Sequence, residues 1–167
     1  MLSLFYSRMD SPVGPLVIGV SEQGLAIIEF DQGEFPKGRL AQNAQWQESP
    51  GRTEQVAREL REYFHGKRRQ FTVPLDLHGT EFQRKCWKTL QKIPYGQTKT
   101  YADIARAVGV PQGFRAVGMA NHDNPVPIIV PCHRVLASDG TLGGYGGGLD
   151  VKRKLLELEG ALQPKLI

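Results

Sequence analysis

Pro125-Val-Pro-Ile-Ile-Val-Pro131-Cys132-His133-Arg134 is an apolar run that ends on a cysteine beside a histidine. A buried segment must give way to a turn here, and the turn carries one of only two cysteines in the chain. A thiol is a strong nucleophile only as thiolate, and an imidazole is one of the few groups able to draw off its proton near neutral pH. In an extended strand Cys132 and His133 would point to opposite faces, so contact between them requires a turn or a bridging water. A water relay is the easier of the two to build.

The imidazole would itself need an orienting acceptor, as in any nucleophile-base-acid arrangement. Glu159 is the best candidate. It lies on the border of an apolar stripe at the end of the last helix, where the helix dipole disfavours a carboxylate that lacks a partner. Asn124, just before the run, could bond backbone groups on both sides and fix the turn. Taken singly, His133 reads equally well as a satisfied core histidine and Asn124 as simple turn initiation. Taken together, Cys132, His133 and a semi-buried Glu159 favour nucleophilic chemistry.

Toward the C-terminus, Gly143-Gly-Tyr145-Gly146-Gly-Gly148 cannot form a regular helix and leaves backbone N–H groups available to a flat ligand. A final helix is expected over Val151–Glu159, with Val151, Leu155, Leu158 and Leu162 as its core stripe. Toward the N-terminus, Tyr101–Val108, the turn Gly109-Val-Pro111 and Gln112–Asn121 read as a helix-turn-helix. Its second helix is rich in small residues, among them Gly113, Ala116, Gly118 and Ala120. Such a helix can lie close to another surface, whether DNA or the rest of the protein. A preceding helix opens on Thr80 with Gln83 three residues on, a capping box, and buries Phe82, Cys86, Leu90 and Ile93. Cys86 is expected to pack as a small apolar residue.

The first thirty residues read as an antiparallel meander of three strands, Leu2–Met9, Leu16–Val20 and Leu25–Phe30. Residues 31–52 show no clear period and are expected to be loop or weak structure. A helix from about Thr53 carries Val56, Leu60, Tyr63 and Phe64 on one face and stops at Gly66. Residues 67–79 read as an extended connection. The fold expected is α/β of the α+β kind. An antiparallel sheet with a helix occupies 1–78, and a mostly helical domain with the helix-turn-helix and a short active-site strand or turn occupies 79–167.

Bulk properties agree with an ordinary globular chain: 167 residues, 40% hydrophobic, 23% charged. No apolar run approaches the ~20 residues that span a membrane. Two cysteines make no disulfide framework and no zinc cluster, so a reducing, cytoplasmic location is expected, with no metal. The net charge of +4 is uneven. Residues 1–78 hold 9 Lys/Arg against 10 Asp/Glu, and residues 79–167 hold 12 against 7. A basic second half is compatible with a polyanion partner, although so modest an excess alone favours a merely solubilising surface.

The segment Asn124-Pro-Val-Pro-Ile-Ile-Val-Pro-Cys132-His-Arg-Val135 closely resembles the active-site segment of the O6-alkylguanine-DNA alkyltransferases. Ile93-Pro-Tyr-Gly96, Tyr101, Arg115-Ala-Val-Gly118, Gly144-Tyr145 and Leu156-Glu-Leu-Glu159-Gly160 stand in that family's order and spacing. The likeness is strong over 75–167 and loose before it. It implies a ribonuclease H-like support domain at 1–78 and a DNA-binding, alkyl-transfer domain at 79–167. It also implies single-turnover repair of O6-alkylguanine, with O4-alkylthymine a second candidate lesion, in double-stranded DNA held through the minor groove. The protein would act without cofactor, as a monomer.

By the same resemblance, Cys132 accepts the alkyl group, His133 acts as its base through water, Glu159 orients His133, and Asn124 braces the turn. Arg115 would enter the duplex in place of the flipped nucleotide, flanked by Phe114, Ala116 and Gly118. Tyr101 would bond the base edge, Tyr145 would wall the pocket, and the backbone of Val135 and Gly146 would bond the guanine. Arg134 is placed with the DNA-binding set. Phe114 and Gly146 depart from residues common in the family. Three other readings compete: a binding-only relative, which would carry tryptophan in place of Cys132; a helix-turn-helix regulator with an incidental cysteine; and a cysteine hydrolase.

Overall fold

The computed structural model describes residues 1–163. The chain forms two compact units, Met1–His78 and a second beginning at Gly79.

In the first unit, β1 (Ser3–Met9), β2 (Leu16–Val20) and β3 (Leu25–Phe30) form the expected antiparallel meander. Gly14, at φ +97, supplies the left-handed turn between β1 and β2. The stretch expected to be loop or weak structure holds a four-residue helix α1 (Arg39–Gln42) and a strand β4 (Gln45–Glu48). β4 pairs parallel with β1, so the sheet is mixed, with order β3-β2-β1-β4, rather than wholly antiparallel. Both elements are too short to display a period. β4 is fixed instead by Trp46, which donates to the Ala41 carbonyl at 2.9 Å and packs against the Leu4, Ala26, Ile27 and Ala41 cluster.

Helix α2 (Pro50–Phe64) starts earlier than Thr53 because Pro50 suits a first helical position. It buries Val56, Leu60, Tyr63 and Phe64, the predicted face. Its buried Glu59 accepts from the Thr72 amide and hydroxyl at 2.7 and 2.6 Å and so ties the extended connection back to the helix.

In the second unit, α3 (Glu81–Leu90) begins with the Thr80–Gln83 capping box and buries Cys86, Trp87 and Leu90. The Trp87 indole donates to the Ala120 carbonyl at 2.8 Å, inside the core. After β5 (Lys99–Thr100), a second capping box between Thr100 and Asp103 opens α4 (Tyr101–Ala107). Gly109 at φ +84 turns the chain, and α5 (Phe114–His122) completes the helix-turn-helix. It begins two residues later than Gln112 because Pro111, Gln112 and Gly113 form the turn.

Residues 125–130 form bends and turns, the second of the two forms expected, with Ile128 in the left-handed region at φ 76. Pro125, Pro127 and Pro131 lack the N–H groups a ladder needs. The chain then enters a 3-10 turn (Cys132–Arg134) and a two-residue strand β6 (Val135–Leu136), paired parallel with β5. Last comes α6 (Leu149–Leu158). Its buried residues are Lys152, Leu155 and Leu156, so the inward face is rotated from the expected stripe, and Leu158 and Leu162 are only half-buried.

Trp87→Phe keeps an aromatic ring but removes the bond to Ala120. The expected cost is about 1–3 kcal/mol, read as a lower midpoint in chemical denaturation followed by a probe in the second unit.

Candidate functional site

The turn that presents Cys132 is braced from within. Asn124 donates from Nδ2 to the Val130 carbonyl at 2.8 Å and accepts from the Val126 amide at 3.0 Å through Oδ1. Both arms of the turn are thus clamped by one side chain, which holds the left-handed Ile128 in place. A β-branched residue there costs about 1–2 kcal/mol that the clamp and the burial of Val126, Ile128 and Val130 must offset. The 3-10 geometry places Cys132, His133 and Arg134 within one tight turn, all three buried.

Cys132 sits at the wall of a cavity of about 130 Å³ lined by Tyr101, Gly118, Asn121, His122, Gly144, Tyr145 and Gly146. An added Cβ at Gly118 or Gly144 would meet nothing within 4 Å, so these glycines leave volume that other residues would fill. Burial pushes the Cys132 thiol up to about 11, despite the opposing influence of Asn124 and the Lys152 charge. At neutral pH the resting sulfur therefore carries its proton, and attack requires a base. Burial also raises the Tyr101 and Tyr145 hydroxyls, so both remain neutral donors.

An imidazole lies in the same turn. His133 is fully buried, and its Nε2 lies 2.8 Å from Glu159 Oε2. Burial lowers the imidazole below its ordinary 6.5, outweighing the pull of Glu159. Hydrogen bonds and charge from His133 and Arg134 hold the Glu159 carboxyl far below the usual carboxylate range, although its burial acts the other way. A neutral imidazole beside a carboxylate carries its proton on Nε2 and leaves Nδ1 as acceptor. Nδ1 is buried and has no hydrogen-bond partner among the described residues.

Glu159 gathers more than His133. Arg134 grips it from Nε at 2.8 Å and Nη2 at 3.0 Å, while Nη1 donates to the Ile93 carbonyl at 2.7 Å. The Gly96 amide approaches Glu159 Oε1 at 3.4 Å, and the Tyr95 hydroxyl donates to the Leu158 carbonyl at 3.3 Å. Arg134, placed by resemblance with the DNA-binding set, makes all of these bonds within the protein. Its guanidinium is 93% buried on the protein side and spent on the carboxylate and a carbonyl.

The remaining expected residues fall in three places. Tyr101, Gly118, Tyr145 and Gly146 line the cavity with Cys132. Phe114, Arg115 and Ala116 lie exposed on α5, outside its lining. The Val135 carbonyl faces inward and accepts from Lys152 Nζ at 2.6 Å.

Lys152 and Asn121 escaped the reading of the sequence. The Lys152 ammonium is wholly buried and also donates to the carbonyls of Leu142 and Gly144, pinning the glycine-rich loop to β6. Burial lowers it to about 8, while Cys132 acts in the opposite direction. A lysine beside the expected stripe of α6, next to Val151, was the available signal. Asn121, one turn beyond the buried Val117, had none. Among the described residues no cluster of three or more His, Cys, Asp or Glu is placed to hold a metal.

Two family descriptions match this chain: 6-O-methylguanine DNA methyltransferase, ribonuclease-like domain, over residues 4–77, and 6-O-methylguanine DNA methyltransferase, DNA binding domain, over residues 81–161. A methylated-DNA–protein-cysteine methyltransferase of Methanosarcina barkeri is 46% identical over 156 residues, covering 93% of this chain and 97% of the relative. Its counterpart in Mycobacterium tuberculosis is 43% identical over 161 residues, covering 96% and 95%. The crystal structure of Mycobacterium tuberculosis OGT in complex with DNA superposes with a TM-score of 0.85 at 43% identity, covering 94% of this chain and 93% of that one.

The buried network sets how stability depends on pH. His133 titrates below 6.5 and Glu159 below 4.5 in the folded state, so in both cases the unfolded chain binds more protons. The stability they contribute is complete above those values and is lost as pH falls, first below 6.5 and then below 4.5. Urea midpoints measured from pH 7.5 to 4 are expected to fall in that order. Glu159→Gln leaves Arg134 buried without its counter-charge and is expected to cost about 3–5 kcal/mol at pH 7.

Proposed function

The chain belongs to the 6-O-methylguanine DNA methyltransferase family, and from that membership we propose that it repairs DNA by direct reversal, moving the alkyl group from O6 of guanine onto its own Cys132. The observation that carries the reading is a buried thiol at the wall of a glycine-lined cavity, with a neutral imidazole and a carboxylate behind it.

The thiol proton passes through a water to His133 Nδ1 as sulfur attacks the alkyl carbon. The new S–C bond forms as the C–O6 bond breaks, the electron pair stays with guanine, and guanine gains one proton. Glu159 stabilises the imidazolium formed in between. Asn124 holds the attacking turn, and Tyr101 and the Gly146 backbone bond the base. The thioether has no route back to a thiol here, so each molecule acts once.

A base stacked in a duplex cannot present O6 in line with a buried sulfur, so the nucleotide must be flipped, at roughly a few kcal/mol. Arg115, exposed on α5, fills the gap left by the base, with Phe114 beside it as an apolar wedge. The small side chains of Ala116 and Gly118 let α5 approach the minor groove closely. The partner is double-stranded DNA carrying O6-alkylguanine, bound by one monomer, and residues 1–78 support the reactive unit. No helix among the described residues is long and apolar enough to cross a membrane, and the location proposed is cytoplasmic.

Intact-mass measurement after mixing with duplex DNA containing O6-methylguanine is expected to give a one-methyl gain on Cys132, abolished in Cys132→Ser. An unchanged mass with DNA bound would mean recognition without repair. The single-turnover rate is expected to be flat above pH 6.5 and to fall below it as His133 takes up a proton. Arg115→Ala is expected to slow repair of duplex DNA far more than reaction with free O6-benzylguanine.

A further inference from the structure

Helix α3 has two unlike faces. Cys86, Trp87 and Leu90 are buried, and α4, α5 and the 3-10 turn of Cys132 pack around the helix. The outward side carries Arg84, Lys85 and Lys88, all exposed. Gln91, the C-cap, keeps right-handed helical angles, so the same side runs on to the exposed Lys92. Positions four apart share one side of a helix and rise about 6 Å, so Arg84, Lys88 and Lys92 stand in a single row. The one acid on α3 is Glu81, in its first turn. Among the described residues none of these cations has an ion pair, and none lines the Cys132 cavity. Like charges four apart oppose helix formation, and a surface that needs only solubility intersperses the two signs. Helix α2 does so: its exposed Arg61 pairs with Glu54 at 3.0 Å and Arg52 with Glu22 at 3.1 Å. The α3 row leaves its charge for something outside the chain.

We propose that the Arg84–Lys88–Lys92 row, with Lys85 beside it, is a second phosphate-binding surface that holds the backbone of undamaged duplex DNA. The proposal takes from the alkyl-transfer reading only that the molecule works on duplex DNA. Such a duplex carries one negative charge per about 1.7 Å of axis, so a cation row about 12 Å long faces several phosphates. Contacts of this kind carry no base information, which suits a lesion that arises in any sequence. The face has no aromatic side chain on which single-stranded bases could stack. It has no apolar side chain to enter a lipid surface either, because Trp87 and Leu90 are spent on the core. Sequence-independent attachment lets the protein slide and hop along DNA, so the row shortens the search that precedes nucleotide flipping.

Binding of undamaged, fluorescently labelled duplex across a salt series tests this. In Arg84→Gln/Lys88→Gln/Lys92→Gln the log–log slope of affinity against salt is expected to flatten by about 2–3, at roughly 0.9 per lost phosphate contact. Affinity at about 0.1 M salt is expected to fall roughly tenfold or more. The control Arg39→Gln/Arg58→Gln/Lys67→Gln removes the same charge from exposed positions of the first unit and is expected to keep the wild-type slope. On duplex containing O6-methylguanine, the α3 variant is expected to react more slowly at subsaturating protein and to reach the wild-type rate at saturation. Its reaction with free O6-benzylguanine is expected to be unchanged, because none of the three side chains lines the cavity. Its denaturation midpoint is expected not to fall, since the substitutions remove like-charge repulsion.

An unchanged salt slope in the α3 variant would overturn the assignment. So would an equal loss in the control, which would mean that bulk charge alone is at work. A larger loss on single-stranded DNA, on RNA or on anionic vesicles than on duplex DNA would overturn it as well, by giving the row to another polyanion. The single substitutions Arg84→Gln, Lys88→Gln and Lys92→Gln cover the case in which the triple variant does not fold. Each is expected to flatten the slope by about 0.9, and three unchanged slopes overturn the assignment. Failure of the wild-type protein to methylate Cys132 from O6-methylguanine, with the slope change intact, would instead defeat the alkyl-transfer reading and leave the surface standing.

Discussion

A single buried carboxylate organises the C-terminal half of this molecule. Glu159 ends α6, yet it is bonded to the histidine after the reactive cysteine, to the arginine after that, and to the turn that follows α3. Taking such a charge out of water is expensive, and only a dense set of donors makes it tolerable. Arg134 provides a two-pronged grip and spends its third nitrogen on Ile93. The orientation of the His133 ring and the packing of α6 against the 3-10 turn are therefore one interaction. This also gives a physical account of Ile93-Pro-Tyr-Gly96. Gly96 sits at φ +79, and a Cβ there would press to 3.0 Å of the Glu159 carbonyl.

Around that centre, two further clamps act on backbone alone. Asn124 closes the turn before Cys132, and Lys152 gathers the carbonyls of Val135, Leu142 and Gly144. The first fixes where the sulfur points. The second fixes the loop that faces it, and it brings a positive charge toward the sulfur that partly counters the cost of ionising it in a dry site. Thiol, imidazole and ammonium thus share one buried electrostatic balance, in which the resting state is uncharged at sulfur and at the ring.

Much of this was legible in the sequence because it depends on local rules. The Thr80 capping box, the turn at Gly109, the α2 face and the Cys132–His133–Glu159 set all follow from short patterns that the backbone obeys. What escaped depends on partners distant in the chain or without a side-chain identity. β4 has one apolar residue, and its parallel partner β1 lies some forty residues earlier. The acceptors of Lys152 are carbonyls, which every residue carries, so no motif announces them. Arg134 reads as a surface cation until the carboxylate it meets is placed beside it.

The cavity wall has one more property. At Gly118, Gly144 and Gly146 it is made of main chain, and main chain has no rotamers to swing aside. A pocket walled by leucines can repack around a larger guest. At those three glycines this one can only be narrowed by substitution, since no side chain there is left to trim. Tolerance of bulkier adducts in related chains would then be expected to arise from changed loop length or loop path, with the width of the slot inherited from how the backbone is routed.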